Sequence, residues 1–453
     1  MGVAARLRPA GVVRLSQGSR AGQPPGRLRL AQVHRPASGD QAPAGDAGRG
    51  DQAAQRGGGR AHVRGGRAQG GRRRRRQAAR LALPIHAPRR DSLSLVAHSL
   101  DVIKRLQAPS GAYPASPTFS AYRGYSWLRD GAFIAEGVSR HGDVSGADAF
   151  HAWCARVVGD RAGQVDVLVS RAGRGEAVPV ADMLPTRFTL DGVNGDDDWW
   201  DFQLDGYGTW LWALREHTVR HGRAVPGVEK GVRTAARYLT AFWQLPCYDW
   251  WEEHVEHRHV ATLGAVHAGL RAAVALGVLS ATESAAAAEA VAGIADLVAR
   301  EGVAEGSHLR KWLGSDAVDA SLLACVEPFG LYPAGHPVGE ATVAEVERQL
   351  AREGGVYRYL ADTFYGGGRW LLLAGFLGWN HARAGRRAEA ARYLEWMAAR
   401  ATPEGDLPEQ VSDLLLAPDR RQEWLDRWGP VATPLLWSHG MYLILADELG
   451  VTA

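Results

Sequence analysis

Residues 1–90 of this 453-residue chain contain no Lys, Glu, Phe, Tyr, Trp or Cys. A stretch without aromatics and with few large apolar side chains cannot bury enough surface to offset the entropy of ordering it, so no core is expected there. It carries 20 Arg against three acids, Asp40, Asp46 and Asp51. The formal charge is therefore +17 on this segment and −13 on the rest, which together make the +4 of the chain. An acidic body repels phosphate, which argues against nucleic-acid binding by the folded part. Only the Arg-rich segment, with Arg72 to Arg76 and its Arg-Gly-Gly steps, has the charge for RNA or for a basic targeting signal, and it lacks aromatics that would stack on bases. Residues 1–90 are expected to be a disordered leader, a composition that a mis-assigned start or a shifted reading frame also explains. Residues 91–453 are expected to form one domain.

Cysteine is scarce too. Cys154, Cys247 and Cys325 are odd in number and lack paired spacing, which argues against a disulfide framework or a paired-Cys zinc site. No apolar run approaches the roughly 18 residues of a membrane span, and the basic N-terminus is not followed by the apolar stretch of a secretory signal. The expectation is a cytoplasmic protein without membrane contact. Strand-like alternation is almost missing, with a weak candidate at Val165–Val169, and no fixed-period repeat supports a solenoid.

What is present is helical periodicity and tryptophan. All 16 Trp lie from Trp127 onward. Asp91 or Ser92 can cap a first helix through Leu106, and about eleven further helices are expected, near residues 130–140, 147–158, 206–221, 228–244, 259–276, 283–300, 319–326, 341–352, 370–384, 387–400 and 433–449. Between them run long Gly/Pro/Asp/Trp-rich loops at 109–126, 189–205, 245–258, 354–369 and 401–432, and loops of that length in a compact domain are usually functional. Twelve helices with such loops between alternate pairs suggest six hairpins closing into an all-α (α/α)6 toroid.

Four segments carry chemistry. Tyr125-Ser126-Trp127-Leu128-Arg129-Asp130 sets an aromatic platform, a fork of donors and an acceptor side by side, although Asp130 is also placed as an ordinary helix N-cap. Tyr248-Asp249-Trp250-Trp251-Glu252-Glu253-His254 sets two carboxylates among tryptophans; such a pair is ordinarily a solvated turn, but in a walled cleft burial and mutual repulsion would raise one carboxyl pKa into the range of a general acid. Leu407-Pro408-Glu409-Gln410 is weak alone. In Arg358 to Trp370 the triple glycine Gly366 to Gly368 has neither the Lys-Ser/Thr nor the strand of a phosphate loop, and reads as a turn bringing backbone close to a ligand. His254, His257 and His259 fall one residue short of an inverted zinc motif and read as loop hydrogen-bonders, so no metal and no cofactor are expected.

In this order the four segments resemble glycoside hydrolase family 15, the glucoamylase-like enzymes, over about residues 92–449. The family's Tyr-x-Trp-x-Arg-Asp motif corresponds to Tyr125 through Asp130, its Tyr-Asp-x-Trp-Glu-Glu motif to Tyr248 through Glu253, its Glu-Gln base motif to Glu409-Gln410, and its Arg-x-x-x-Asp-Thr-x-Tyr-x-Gly-x-x-Trp stretch to Arg358 through Trp370. The resemblance implies the (α/α)6 toroid and inverting hydrolysis from the non-reducing end. It makes Glu252 the general acid and Glu409 the general base, gives Trp127, Arg129 and Asp130 the terminal glucose, and places Glu253, Arg358 and Asp362 in a polar network around the sugars. Tyr125, Trp199, Trp251 and Trp370 complete the expected substrate-binding set. Glu252 is expected to be the acid because Glu253, Trp250 and Trp251 disfavour its charge, with Glu409 on a more open polar loop. Two departures, Leu204 where fungal glucoamylases carry Arg and Gly368-Arg369 for Asn-Pro, fall at the second sugar site. No β-sandwich of the kind that precedes the toroid in prokaryotic members is expected here, and the type that the sequence resembles is the single-domain isomaltose glucohydrolase. The expected substrate is a short α-glucoside, α-1,6 favoured over α-1,4. Trehalase or glucoamylase activity and a non-catalytic sugar-binding toroid are the alternatives.

Overall fold

A computed structural model describes residues 12–14, 29–30, 90–197, 199 and 202–452. Fourteen α-helices lie among the described residues. Twelve of them form six consecutive hairpins. The inner members are α2 (Leu128–Arg140), α5 (Asp205–His221), α7 (Val260–Ala275), α9 (Leu323–Val326), α11 (Leu371–Arg383) and α14 (Leu436–Glu448). Each packs on the next, and α14 packs on α2, so the ring closes. The outer members are α3 (Val144–Asp160), α6 (Glu229–Phe242), α8 (Ala281–Leu297), α10 (Pro337–Leu350), α12 (Arg387–Ala398) and α1 (Arg90–Leu106), which lies against α14 and α12. This is the expected (α/α)6 toroid.

The inner helices are apolar on nearly all sides, as α7 (VATLGAVHAGLRAAVA) and α11 (LLLAGFLGWNHAR) show, because each is enclosed by two ring neighbours and an outer partner. Outer helices carry a single buried face; α6 buries Val232, Ala235, Ala236, Leu239 and Phe242, spaced three and four apart. Glycine sets the closest inner approaches. A Cβ on Gly208 of α5 would lie 2.3 Å from the Ala265 carbonyl oxygen of α7, one on Gly269 of α7 would lie 2.4 Å from Gly208 Cα, and one on Gly137 of α2 would lie 2.7 Å from the Gly440 carbonyl oxygen of α14.

Two helices were not expected. α4 (Ala162–Gly173) contains Val165–Val169, so the strand candidate there is incorrect. Its alternating valines mimic a strand, but the helix buries Val165, Leu168 and Ala172 and leaves Val167 exposed. α13 (Arg421–Trp428) lies within the loop expected at 401–432 and has no fully buried residue. Residues 1–90 also hold two short strands, β1 (Val12–Arg14) and β2 (Arg29–Leu30), which pair antiparallel; β1 pairs further with β4 (Val178–Pro179). The rest of the expected disordered leader, up to residue 89, lies outside the described residues.

Short antiparallel ladders tie the loops together at one end of the ring. β3 (Tyr125–Trp127) pairs with β5 (Arg187–Thr189), Trp127 opposite Arg187. β6 (Ala351–Arg352), β7 (Gly355–Val356), β8 (Arg369–Trp370) and β9 (Gln410–Val411) form a small sheet in that order, with Trp370 opposite Gln410. No described helix is long and apolar enough to cross a membrane. Cys154, Cys247 and Cys325 are free and buried.

The glycine contacts make closure of the ring testable. Gly208→Ala should lower stability by about 1–3 kcal/mol, because the added methyl meets backbone rather than a movable side chain. Urea denaturation measures it, and an unchanged midpoint would show that α5 and α7 are not in this contact.

Candidate active site

Five inner helices begin after a loop that carries a candidate residue, Trp127 before α2, Trp199 before α5, Glu252 before α7, Arg358 to Trp370 before α11 and Glu409 before α14, and the sixth, α9, follows the loop of the buried Asp319. The six helix N-termini, with their partial positive charge, therefore share the end of the ring where the carboxylates lie.

Glu252 lies in a tight turn. Asp249 Oδ1 accepts from the backbone N–H groups of Trp251 and Glu253, each at 2.9 Å, and the Asp249 carbonyl accepts from Glu252 N at 3.0 Å. This turns Glu252 and His254 into left-handed backbone, with φ of 63° and 54°, conformations that non-glycine residues rarely adopt. The turn sends the Glu252 carboxyl away from its sequence neighbours. Its two oxygens accept the indole N–H groups of Trp127 and Trp199, each at 2.6 Å. The expectation that Trp250 and Trp251 wall Glu252 is thus corrected: Trp250 is buried against Phe133 and Trp437 in the ring, and Trp251 donates to Asp319. Burial pushes the Glu252 carboxyl up to about 7, opposed by Arg129 and the indole hydrogen bonds and reinforced by Asp130.

Glu409 is fixed through its backbone, its N–H bonding the Ala432 carbonyl at 3.0 Å and its carbonyl accepting from Leu371 N at 3.3 Å. Oε1 accepts from the Tyr122 hydroxyl at 2.9 Å, while Oε2 is buried without a hydrogen-bond partner among the described residues. The side chain is 2% exposed, not on an open polar loop, and burial pushes its pKa to about 8. Tyr122 hydroxyl donation and Arg358 oppose that rise, and Asp130 and Asp362 add to it.

The two carboxyls, 157 residues apart in sequence, share one aromatic collar. Ring centroids run from Phe119 to Tyr122 at 4.4 Å, to Trp127 at 5.4 Å, to Trp199 at 6.0 Å, to Trp428 at 6.1 Å, and back to Phe119 at 5.7 Å. Neither Tyr122 nor Trp428 was singled out in the sequence. Tyr122 lies three residues before the Tyr125 motif in a loop without a distinctive pattern, and Trp428 lies on the unexpected α13.

Asp130 is not a helix cap. α2 starts at Leu128, its N-cap is Trp127 without a side-chain hydrogen bond, and Asp130 lies inside the first turn, 7% exposed. Arg129 holds Asp205 at 3.1 Å and Gln203 at 3.2 Å, and its Nε lies 3.3 Å from Asp130 Oδ1 in an ion pair without hydrogen-bond alignment. Burial raises Asp130 to about 6, opposed by Arg129 and reinforced by Asp205. Tyr125 lies outside the collar, its ring under the Arg187 guanidinium at 3.7 Å; Arg187 also covers Trp199 at 4.4 Å and pairs with Asp197 at 2.5 Å.

The expected polar network is assembled. Arg358 holds Asp362 at 2.8 and 2.5 Å and Glu253 at 3.3 Å, and the Tyr359 hydroxyl donates to Glu253. Trp251 and Trp370 stand beside it, 5.6 Å apart. The triple glycine lets backbone approach other parts of the protein closely: Gly368 N donates to Gln410 Oε1 at 2.9 Å, and a Cβ on Gly367 would meet the Asp362 carbonyl. Of the histidines, His257 stacks on Trp312 at 4.1 Å and His259 bonds the His254 carbonyl at 2.9 Å. Asp249, Glu253 and His254 have side-chain atoms close enough to ligate an ion, but Lys311 Nζ lies 3.7 Å from Asp249 and Arg358 holds Glu253, so cations of the protein already serve both carboxylates.

Residues 90–399 match the glycosyl hydrolases family 15. The chain belongs to that family. A relative, the isomaltose glucohydrolase of Kribbella flavida, is 58% identical over 358 residues, covering 79% of this chain and 93% of its own. A trehalase of Mycolicibacterium smegmatis is 30% identical over 56% of this chain and 41% of its own. A solved glycosidase 57% identical to this family 15 chain matches with a TM-score of 0.78 over 80% of it and 98% of that structure. A bacterial glucoamylase complexed with acarbose, 21% identical with a TM-score of 0.62 over 79% and 56% of the two chains, shares the fold. The family 15 protein described here is a glycoside hydrolase.

Asp130→Ala should separate activity from stability in this glycoside hydrolase. Removing a buried carboxyl beside Asp205 leaves Arg129 its other partners, so kcat/KM should fall by about 10²-fold or more while the thermal midpoint does not fall. A lower midpoint with activity retained would make Asp130 a structural residue.

Proposed function

We propose that this glycoside hydrolase is an inverting, exo-acting α-glucosidase that releases β-glucose from the non-reducing end of short α-glucosides, isomaltose-type α-1,6 linkages favoured over α-1,4. The observation that carries the mechanism is the asymmetry of the two buried carboxyls: Glu252 has both oxygens on indole donors, whereas Glu409 keeps Oε2 without a partner among the described residues. Glu252 in its protonated form gives its proton to the glycosidic oxygen, whose bond to the anomeric carbon breaks. A water attacks that carbon from the opposite face as Glu409 Oε2 takes the water's proton. The products are β-glucose and the freed sugar, with Glu252 ionised and Glu409 protonated until solvent exchange restores them.

The relatives support this assignment. Separate solved variants of the 57% identical glycosidase replace a Tyr, a Glu, a Phe and a second Glu, the last in complex with glucose. The spacings along that chain, 130, 112 and 45 residues, equal those of Tyr122, Glu252, Phe364 and Glu409 here. The α-1,6 preference is supported by the name of the Kribbella relative. It is also supported by Leu204, which is buried in the core, and by Arg369, which turns to Asp413 at 2.7 Å. A cytoplasmic location and an unassisted toroid, residues 91–453, remain part of the proposal.

Glu252→Gln and Glu409→Gln should each cost roughly 10³-fold or more in kcat with little change in stability, and the first glucose released by the wild type should be the β-anomer, followed by NMR. Initial α-glucose would overturn the mechanism. A panel of isomaltose, maltose and trehalose decides the linkage.

The pH profile tests the electrostatics. Turnover needs the pair to hold one proton, and burial raises both carboxyls, Glu252 to about 7 and Glu409 to about 8, so the productive arrangement with the proton on Glu252 is the minority of the singly protonated states. Activity should therefore fall as pH drops below about 7 and both groups protonate, fall again above about 8 as both ionise, and peak between. A maximum near pH 4–5, the ordinary carboxylate range, would show that these groups are not held this way.

A further inference from the structure

We propose that Lys311 is a positioning residue for the general acid, locking the Glu252 turn through the two aspartates that cap it and its neighbouring loop. The inference rests on the reading of Glu252 as the acid. Lys311 is one of three lysines in the chain and is 4% exposed. Its Nζ lies 3.0 Å from Asp319 and 3.7 Å from Asp249. Asp249 caps the acid turn by accepting two of its backbone N–H groups. Asp319 caps the turn that leads into α9, accepting the backbone N–H and the hydroxyl of Ser321, and also receives the Trp251 indole N–H. The same ammonium sits 3.2 Å from the ring centroid of Tyr359, whose hydroxyl donates to Glu253. Glu252 is thus flanked on both sides by carboxylates held in place by cations, Asp249 by Lys311 and Glu253 by Arg358.

Two features make this more than a stabilising ion pair. Glu252 is held at a φ of 63°, a conformation that persists only where the surroundings over-determine it. Lys311 is fixed at its backbone as well, its N–H bonding the Ala317 carbonyl at 2.8 Å and its carbonyl accepting from Val260 N at 3.2 Å, at the start of the inner helix that follows the acid turn. Without the ammonium, Asp249 and Asp319 face one another in a buried pocket with no lysine between them. The turn then relaxes, and Glu252 loses its register on Trp127 and Trp199.

Lys311→Met keeps an unbranched side chain, one atom shorter, and removes its charge. The decisive comparison uses two substrates: isomaltose, whose leaving alcohol must be protonated, and α-glucosyl fluoride, whose fluoride leaves without help from a general acid. The wild type, Glu252→Gln, Lys311→Met and Lys311→Arg are measured together, well below their melting temperatures. A displaced acid predicts that Lys311→Met loses about 10²-fold or more in kcat on isomaltose with KM little changed, keeps most of its rate on the fluoride, and is partly restored in Lys311→Arg. Equal losses on both substrates, or no loss, overturn the positioning role. If Glu252→Gln itself loses both substrates equally, it is the assignment of the acid that fails, and the two failures are told apart in the same assay. Where Lys311→Met is not recovered folded, Asp319→Asn removes the shorter of the two ion pairs and should show the same selective loss; a uniform loss there overturns the inference.

Discussion

Six helices close into a ring only if each can approach two neighbours at once, and here the closest approaches are set by the absence of side chains. At Gly208 against Ala265, Gly269 against Gly208 and Gly137 against Gly440, a single methyl would collide with backbone. Rigid closure is what makes the chemistry transferable from sequence to space. Glu252 and Glu409 arrive on loops before α7 and α14, and their relative position depends on the accumulated packing of every helix between. Small ladders at the same end, Trp127 with Arg187 and Trp370 with Gln410, then convert a coarse arrangement of helix ends into defined side-chain positions.

The site that results is buried and crowded with charge. Arg129 with Asp130 and Asp205, Arg358 with Glu253 and Asp362, and Lys311 with Asp249 and Asp319 all lie in or near it, each cation held by two carboxylates. Buried ion pairs do little for stability, because the desolvation they require offsets most of their attraction. Their value lies in geometry: a guanidinium held by two carboxylates has few other places to go. The same burial raises both Glu252 and Glu409. They differ in which donors reach them, indoles at one and a tyrosine hydroxyl at the other, and the proposed division into acid and base rests on that difference.

Most of the ring was legible because helical periodicity survives where packing is one-sided, as in α6, and because the inner helices are apolar almost throughout. The failures have local causes. Val165, Val167 and Val169 alternate like a strand although the helix buries Val165, Leu168 and Ala172. RQEWLDRW in α13 offers only a one-turn apolar patch of Trp424, Leu425 and Trp428, too short to stand out in the sequence, yet its Trp428 completes the collar. Neighbours in sequence were also mistaken for neighbours in space. Trp250 and Trp251 flank Glu252 along the chain, but a left-handed residue at that position reverses the side chain's direction, and no propensity for Glu announces such a turn. Partners contributed from distant loops, Tyr122 and Lys311, become visible only once the ring is closed.

The left-handed backbone at Glu252 sets thermodynamics against function at a single codon. A non-glycine residue in this region carries a strain of about 1–3 kcal/mol, which glycine would relieve. Replacement by glycine would also remove a carboxyl that burial penalises. A library screened for heat resistance alone would therefore enrich proteins that have discarded Glu252, and their melting curves would look like improvement. On the proposed role of Glu252 as the acid, only a screen that couples survival of heating to sugar release keeps this residue, and the turn is then maintained by catalysis and against folding.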